Sequence, residues 1–242
     1  MNTIKVEKKQ VQMVAHRGVS GLERENTNAA FVAAGNRSYF GVETDVHKTA
    51  DGKYVIIHDE TTKRVTNGAV DINVEENSYD KVKDIILPDL DGSTSRQDIR
   101  IPLLTDYVKI CKKYDKKCVL ELKNHFDRPD IMEIIDIIKN ENYLESVIFI
   151  SFDLENCITL RDLLPSQPVQ WLTASDDLTE IKNTLYKYHL DLDIYYERLN
   201  QEFVAELHAN NVKVNCWTCD DKQAAEKLID MGVDYITSNI LE

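Results

Sequence analysis

Short runs of β-branched and apolar residues alternate along the chain with stretches whose apolar positions recur at helical spacing. The runs predict strands at Val11–His16, Gly41–His47, Cys118–Lys123, Ser146–Phe152, Val169–Thr173, Asp193–Glu197, Val212–Trp217 and Val233–Thr237. Between them, Leu104, Tyr107, Val108 and Cys111 share one helical face, as do Ile131, Ile134, Ile135 and Ile138. Asn26–Gly35, Leu154–Leu164, Leu178–Tyr188, Gln201–Asn210 and Lys222–Met231 predict further helices, the last stopped by Gly232. Alternating strands and helices imply parallel strands joined by crossovers, and eight strands with short polar connections favour a closed (β/α)8 barrel, a TIM barrel. One stretch breaks the rhythm. After the second strand, Asp51-Gly52 suits a hairpin to a β-like run at Tyr54–His58, and a polar segment over residues 59–100 follows. This segment reads as an insertion capping the barrel mouth, within a single domain over residues 1–242, and the final helix is expected to be short or missing.

Composition narrows the class. The 242 residues are 43% hydrophobic and 29% charged, ordinary for a globular protein with one large core. A net charge of -13 argues against nonspecific nucleic-acid binding, which needs surplus Lys and Arg, but leaves room for a small anion in one locally positive pocket. Five scattered cysteines do not form a secreted disulfide framework. The polar start at Met1–Gln10 lacks the apolar run of a signal peptide, and no stretch is long enough to span a bilayer, so a cytoplasmic protein without stable membrane insertion is expected.

The strand period then picks out chemistry. Glu43, Asp45 and His47 fall on one face of the second strand, Glu121 and Lys123 on one face of the third, and His16 ends the first. In a barrel the carboxyl ends of the strands converge on one catalytic face. Three carboxylates there would repel one another unless protonated or bridged by a cation, and an all-oxygen set suits one hard divalent ion, Mg²⁺ or Ca²⁺. An isolated Glu-x-Asp is usually a surface or ion-paired feature; here the convergence sets it apart. His16 and His58 could give and take protons beside that cluster, and Arg17 could hold two phosphate oxygens, with Gly18 allowing close backbone approach.

These residues come in a series: His16-Arg17-Gly18, Glu25-Asn26-Thr27, Glu43-Thr44-Asp45-Val46, Thr49-Ala50-Asp51-Gly52 and His58-Asp59. Ile101-Pro102-Leu103-Leu104, Glu121-Leu122-Lys123, Ser151-Phe152, Trp217-Thr218 and Gly232-Val233-Asp234 follow in order. The series resembles the glycerophosphodiester phosphodiesterase family over nearly the whole chain. The resemblance implies a (β/α)8 barrel with a small inserted subdomain, and metal-dependent hydrolysis of a glycerophosphodiester to glycerol 3-phosphate and an alcohol. It implies that Glu43, Asp45 and Glu121 bind the metal, with Glu25 in support, and that His16 and His58 form the acid–base pair. Arg17 and Lys123 would contact the phosphate, and Trp217 would stand beside the glycerol end. Two places depart from the family pattern: Arg24 stands where proline usually precedes Glu-Asn-Thr, and the usual proline after the last strand is absent from Asn239-Ile240-Leu241-Glu242.

Two rival functions fit less well. A phospholipase D-like enzyme for lysophospholipids would want an apolar, membrane-facing rim, and an inactive scaffold barrel would have little use for so many charged site residues. Cys216 and Cys219 have the spacing of a redox or zinc pair, but lying along a strand they would point apart. His125, His189 and His208 are expected at the surface, and the insertion is expected to read the leaving alcohol.

Overall fold

The computed structural model describes residues 2–242. Among these, nine strands form one sheet: β1 (Gln12–Ala15), β2 (Gly41–Lys48), β3 (Tyr54–Ile56), β4 (Lys117–Leu122), β5 (Val147–Ser151), β6 (Val169–Thr173), β7 (Asp191–Tyr195), β8 (Val214–Trp217) and β9 (Tyr235–Ser238). Eight of them run parallel in the order β1-β9-β8-β7-β6-β5-β4-β2, and β1 also pairs with β2, which closes the barrel. The ninth, β3, lies antiparallel against β2, the hairpin that Asp51-Gly52 implies; Gly52 takes φ 75° in the turn.

The helices are α1 (Asn28–Gly35), α2 (Tyr79–Val82), α3 (Leu104–Lys113), α4 (Arg128–Asn140), α5 (Leu154–Leu163), α6 (Leu178–Tyr188), α7 (Gln201–Ala209) and α8 (Lys222–Met231). All but α2 are crossovers between barrel strands. Thr27, Asp153, Asp177, Asn200 and Asp221 each accept a first-turn backbone N–H, satisfying donors that the helix itself leaves open. Gly232 ends α8 in the left-handed conformation. The faces expected on α3 and α4 are the buried ones, in one cluster with Leu120, Leu122 and Phe149 from the outside of the barrel wall. Each such aliphatic side chain contributes about 1.5–3 kcal/mol through burial.

Strand boundaries shift where neighbouring groups compete for the backbone. The strand expected at Asp193 starts at Asp191, because Leu192 N–H already donates to Lys213 and the Asp191 carboxylate accepts from Lys213 N–H at 2.9 Å. Val212 and Val233 are not yet strand: their N–H groups close the ends of α7 and α8 by donating to Leu207 and Leu228. After β9 no helix follows among the described residues; Ile4 and Glu242 instead exchange backbone hydrogen bonds with Ile240 and Ile4 at 3.0 and 2.8 Å. No helix of the described residues is long and apolar enough to cross a membrane.

Inside the barrel, Val14, Val119, Ile148, Ile150, Leu172 and Tyr235 make an apolar plug. Above β6–β9 this gives way to a polar layer, in which Asn215 bonds Gln170, Asp193 and Thr237. The stretch over residues 59–100 has its own apolar cluster, with Val65, Val74, Val82, Leu87 and Ile99 packed against Val55 and Ile57. It therefore stands beside the hairpin as an outwork with a separate small core.

Candidate active site

The first site residues follow β1 directly. His16 N–H donates to Ser238 across the β1–β9 seam, and the chain then turns sharply through Arg17 and Gly18, both at positive φ (54° and 75°). A Cβ on Gly18 would lie 2.6 Å from that of Ala30, so only glycine fits. The turn aims the Arg17 backbone N–H at Glu43 Oε2, 2.7 Å away. A non-glycine residue held in this region carries strain of the kind found at functional sites.

Glu43 and Asp45 sit two apart on β2, and Glu121 stands opposite Asp45 on β4. Each offers an oxygen within 4.8 Å of the others, and all three residues are buried. Burial and the neighbouring carboxylates push Glu43 well above the usual range and Glu121 to about 8. Burial would raise Asp45 as well, but Lys123, Arg17 and His58 outweigh it and hold that carboxyl low. Asp45 Oδ1 accepts no hydrogen bond. Lys123 Nζ approaches Glu121 Oε1 to 2.9 Å, yet without the angles of a hydrogen bond. Three crowded, buried carboxylates with free oxygens fit a hard divalent cation, and the set has neither thiolate nor imidazole to favour zinc.

The histidines approach this cluster from two loops. His16 Nδ1 is 2.7 Å from Asn239 Oδ1, and its Nε2 lies 3.9 Å from Glu43. His58, two residues past β3, has Nδ1 2.6 Å from Asp59 Oδ1. When each Nδ1–H donates to its partner, each Nε2 is left free. Burial and the Arg17 cation depress His16 to about 4; burial also lowers His58, against the pull of Asp45. Both rings are therefore neutral near pH 7, able to accept a proton.

One cavity brings these groups together. His16, Arg17, Glu43, His58, Glu121 and Lys123 form one side; Ile150, Phe152, Leu172, Asp193, Trp217 and Thr237 form much of the other. It encloses about 440 Å³, counting its open mouth. Asp45 lies buried beside Glu121, and Glu25 stands one step out from the cavity, donating nothing and accepting from Arg17 Nη1 at 2.9 Å. The Trp217 ring meets Phe152 edge-on, with centroids 5.5 Å apart.

Several supporting residues were not picked out from the sequence. Arg64, inside the insertion, donates to Glu25 at 2.8 and 2.9 Å and to Asp59 at 2.7 and 3.0 Å. It thereby links the partner of Arg17 to the partner of His58. Arg64 and Arg17 overcome burial to hold Glu25 at about 2, and Arg64 likewise holds Asp59 at about 2. Asn26 donates to Asp45 Oδ2 at 2.7 Å, and Asn239 steadies His16. A cation in a polar stretch, or a lone Asn after a strand, carries no pattern that separates it from solvent-facing neighbours.

Some expectations change. His47 shares the parity of Glu43 and Asp45, but at the end of β2 it turns to Glu75 at 2.9 Å and to the His58 carbonyl at 3.2 Å, away from the cavity. Cys219 lies past β8, not along it; burial raises Cys216, and raises Cys219 to about 11, so neither is a ready thiolate. Residues 60–100 give no side chain to the cavity wall. The insertion reaches the outer partners of the site through Arg64, and is tied to the loop after β1 by Arg24 on Val65 at 2.6 Å and Arg96 on Glu23 at 2.7 Å. Arg24 thus anchors where a proline would stiffen. His125 and His208 pair with Asp153 and Asp234, and His189 caps α6; none of the three lines the cavity.

A parallel barrel with carboxylates, cations and imidazoles gathered at the carboxyl ends of its strands defines the class: a (β/α)8 protein with a charged cavity at the catalytic face of the fold. The family model of the glycerophosphoryl diester phosphodiesterase family matches residues 16–241, and the chain belongs to that family. A glycerophosphodiester phosphodiesterase of Caldanaerobacter subterraneus subsp. tengcongensis is 31% identical over 229 residues, covering 94% of this chain and 93% of its own. The crystal structure of a glycerophosphodiester phosphodiesterase from Parabacteroides distasonis superposes with a TM-score of 0.78 at 27% identity, over 95% of this chain and 93% of the other. An Oleispira antarctica phosphodiesterase, solved in complex with the product sn-glycerol-3-phosphate, shares the fold at a TM-score of 0.82 and 24% identity, over 98% and 96% of the two chains.

Proposed function

We propose that the protein is a metal-dependent glycerophosphodiester phosphodiesterase, releasing glycerol 3-phosphate and an alcohol. The observation that carries this reading is the sharing of one cavity by His16, His58, Arg17, Lys123, Glu43 and Glu121, with Asp45 completing the carboxylate cluster behind them. Family membership and the named relatives supply the substrate class.

In this mechanism Arg17 and Lys123 bind the phosphate oxygens and balance their charge. Glu43, Asp45 and Glu121 would hold the cation, which when bound supplies Lewis-acid stabilisation of charge on the phosphoryl oxygens. One neutral imidazole takes the proton of the attacking hydroxyl, and the other ring, which takes up a proton when the anionic phosphate beside it favours the charged form, gives that proton to the departing alcohol oxygen. Asp59 and Asn239 fix the two rings through Nδ1, so both transfers run through Nε2. Glu25 keeps Arg17 aimed by pairing with its Nη1. The apolar side of the cavity excludes water and faces the parts of the substrate that do not react.

The test is release of glycerol 3-phosphate and choline from glycerophosphocholine. Turnover should vanish in stringently demetallated protein and return with Mg²⁺ or Ca²⁺. Full activity without metal would remove the cation from the mechanism, and absence of hydrolysis under every metal condition would remove the activity itself.

A further inference from the structure

Among the groups that line the cavity, Asp193 has no part in the mechanism above. It occupies the centre of β7 and is buried, with 1% of its surface exposed. Its Oδ2 accepts a long hydrogen bond from Asn215 Nδ2 at 3.2 Å, whereas Oδ1 has no partner. Trp217, on the neighbouring strand β8, repeats the situation: its indole Nε1–H is buried without an acceptor. Both residues line the cavity. The two strands are paired, Asp193 against Asn215 and Tyr195 against Trp217, so a carboxyl and an indole N–H without partners stand beside the same cavity one strand apart.

Buried polar atoms without partners are rare, and each calls for an explanation. Here the rest of the polar layer is satisfied: Asn215 also donates to Gln170 at 3.0 Å and accepts from Thr237 at 3.3 Å. The two atoms left without partners belong to residues that line the cavity. Burial, with Glu121 nearby, raises the Asp193 carboxyl well above the usual range. The neighbours Ile150, Leu172 and Phe152 are apolar. A ligand that suits this corner carries hydroxyls, each of which donates and accepts, on a short carbon chain. The phosphate-binding cations stand on the opposite wall, which orients such a ligand with its phosphate at Arg17 and Lys123 and its hydroxyls at β7 and β8.

We infer that Asp193 is a specificity-determining residue, whose free carboxyl oxygen acts with the Trp217 indole N–H to bind the hydroxyl groups of the glycerol half of the substrate. The inference rests on the function proposed above and deepens it. It also explains how a small, charged cavity would favour a glycerol ester over a phosphate ester of a plain alkyl chain. A site built to bond a hydroxyl discriminates strongly against a ligand that lacks one, because its polar groups are then buried unpaired.

The experiment compares two inhibitors of glycerophosphocholine hydrolysis by the metal-loaded protein: glycerol 3-phosphate and 1-propyl phosphate, which lacks both hydroxyls. Wild type should bind the first at least roughly tenfold more tightly. Asp193→Leu, similar in bulk, should bring the ratio of inhibition constants close to one, with Asp193→Ala in its place if the leucine variant does not fold. Asp193→Asn, which keeps a donor and an acceptor, should retain most of the preference, and Trp217→Phe should lose part of it. A merely structural role for Asp193 would weaken both inhibitors alike and leave their ratio intact, and that result overturns the inference. A wild type that neither cleaves glycerophosphocholine nor is inhibited by glycerol 3-phosphate overturns the proposed function and this assignment with it. A wild type that does both, with an unchanged ratio in the Asp193 variants, overturns this assignment alone.

Discussion

The two walls of the cavity come from different halves of the chain and obey different rules. Residues 16–123 contribute His16, Arg17, Glu43, His58, Glu121 and Lys123, while β5–β9 and their loops contribute Ile150, Phe152, Leu172, Trp217, Thr237 and a single acid, Asp193. On the charged wall almost every group is held by another. Arg17 meets Glu25 and Asp45, Arg64 meets Glu25 and Asp59, and Lys123 meets Glu121 and Asp45. On the neutral wall, contacts are mostly van der Waals and aromatic, as between Phe152, Trp217 and Tyr195. The contrast teaches that one cavity joins a tightly paired charged wall to a sparsely paired neutral one. Changing one charge on the first wall disturbs a network, whereas changing one side chain on the second alters shape or a single hydrogen bond.

The strongest challenge to this division is removal of an imidazole. His16→Ala and His58→Ala should each lower kcat by roughly two to four orders of magnitude with the fold intact by circular dichroism. A variant that keeps near wild-type kcat would take that histidine, and part of the charged wall, out of the chemistry.

Metal uptake sharpens the comparison through pH. With the Glu121 carboxyl raised to about 8 by burial and Asp45, metal-free protein holds its proton at neutral pH. A cation that binds the ionised form must displace that proton. Affinity for Mg²⁺ or Ca²⁺ should therefore rise with pH through neutrality, by about tenfold per unit for each proton released, Glu43 being raised as well as Glu121. Calorimetry in buffers of differing ionisation enthalpy would read the released proton directly. A pH-independent affinity with no proton release would show that the carboxylates are already ionised.

A smaller effect is expected one step out. Arg64→Ala should lower kcat/KM by roughly tenfold, the usual scale for an outer partner of a functional group. The loss should come with an altered pH profile, since the Asp59 partner of His58 is released; a loss of melting temperature alone would make Arg64 only a fastener for the insertion. Smallest of all, Cys216→Ala and Cys219→Ala should leave turnover within about twofold while lowering the melting temperature, as expected for small buried side chains. Loss of activity in well-folded Cys219→Ala would place chemistry on the neutral wall after all.

Much of the charged wall was legible in the sequence because it lies where the pattern is sharp. Glu43 and Asp45 differ by one strand period, Glu121 recurs in the next strand, and His16 follows an apolar run directly. The amphipathic faces of α3 and α4 were equally plain. The neutral wall was less legible for a physical reason: parallel strands in a barrel are buried on both faces, so inward and outward positions do not separate into polar and apolar. In β7 the inward Asp193 is polar while Leu192 and Ile194 pack outward in the main core, and this inversion concealed where the strand begins. Arg64 escaped notice because its importance lies in pairing with Glu25, 39 positions earlier in the chain, a contact no local pattern encodes.

The seam between β1 and β9 has a consequence for how the site comes together. His16 bonds the Ser238 carbonyl through its backbone and Asn239 through its ring, so it depends on a partner 223 positions later in the sequence. Residues 16–123 carry the cations, imidazoles and clustered carboxylates of the charged wall, yet the barrel that frames them closes only when β9 pairs with β1. Contacts that span more than two hundred residues are the slow kind to form. The cavity is therefore complete only once β9 is seated against β1.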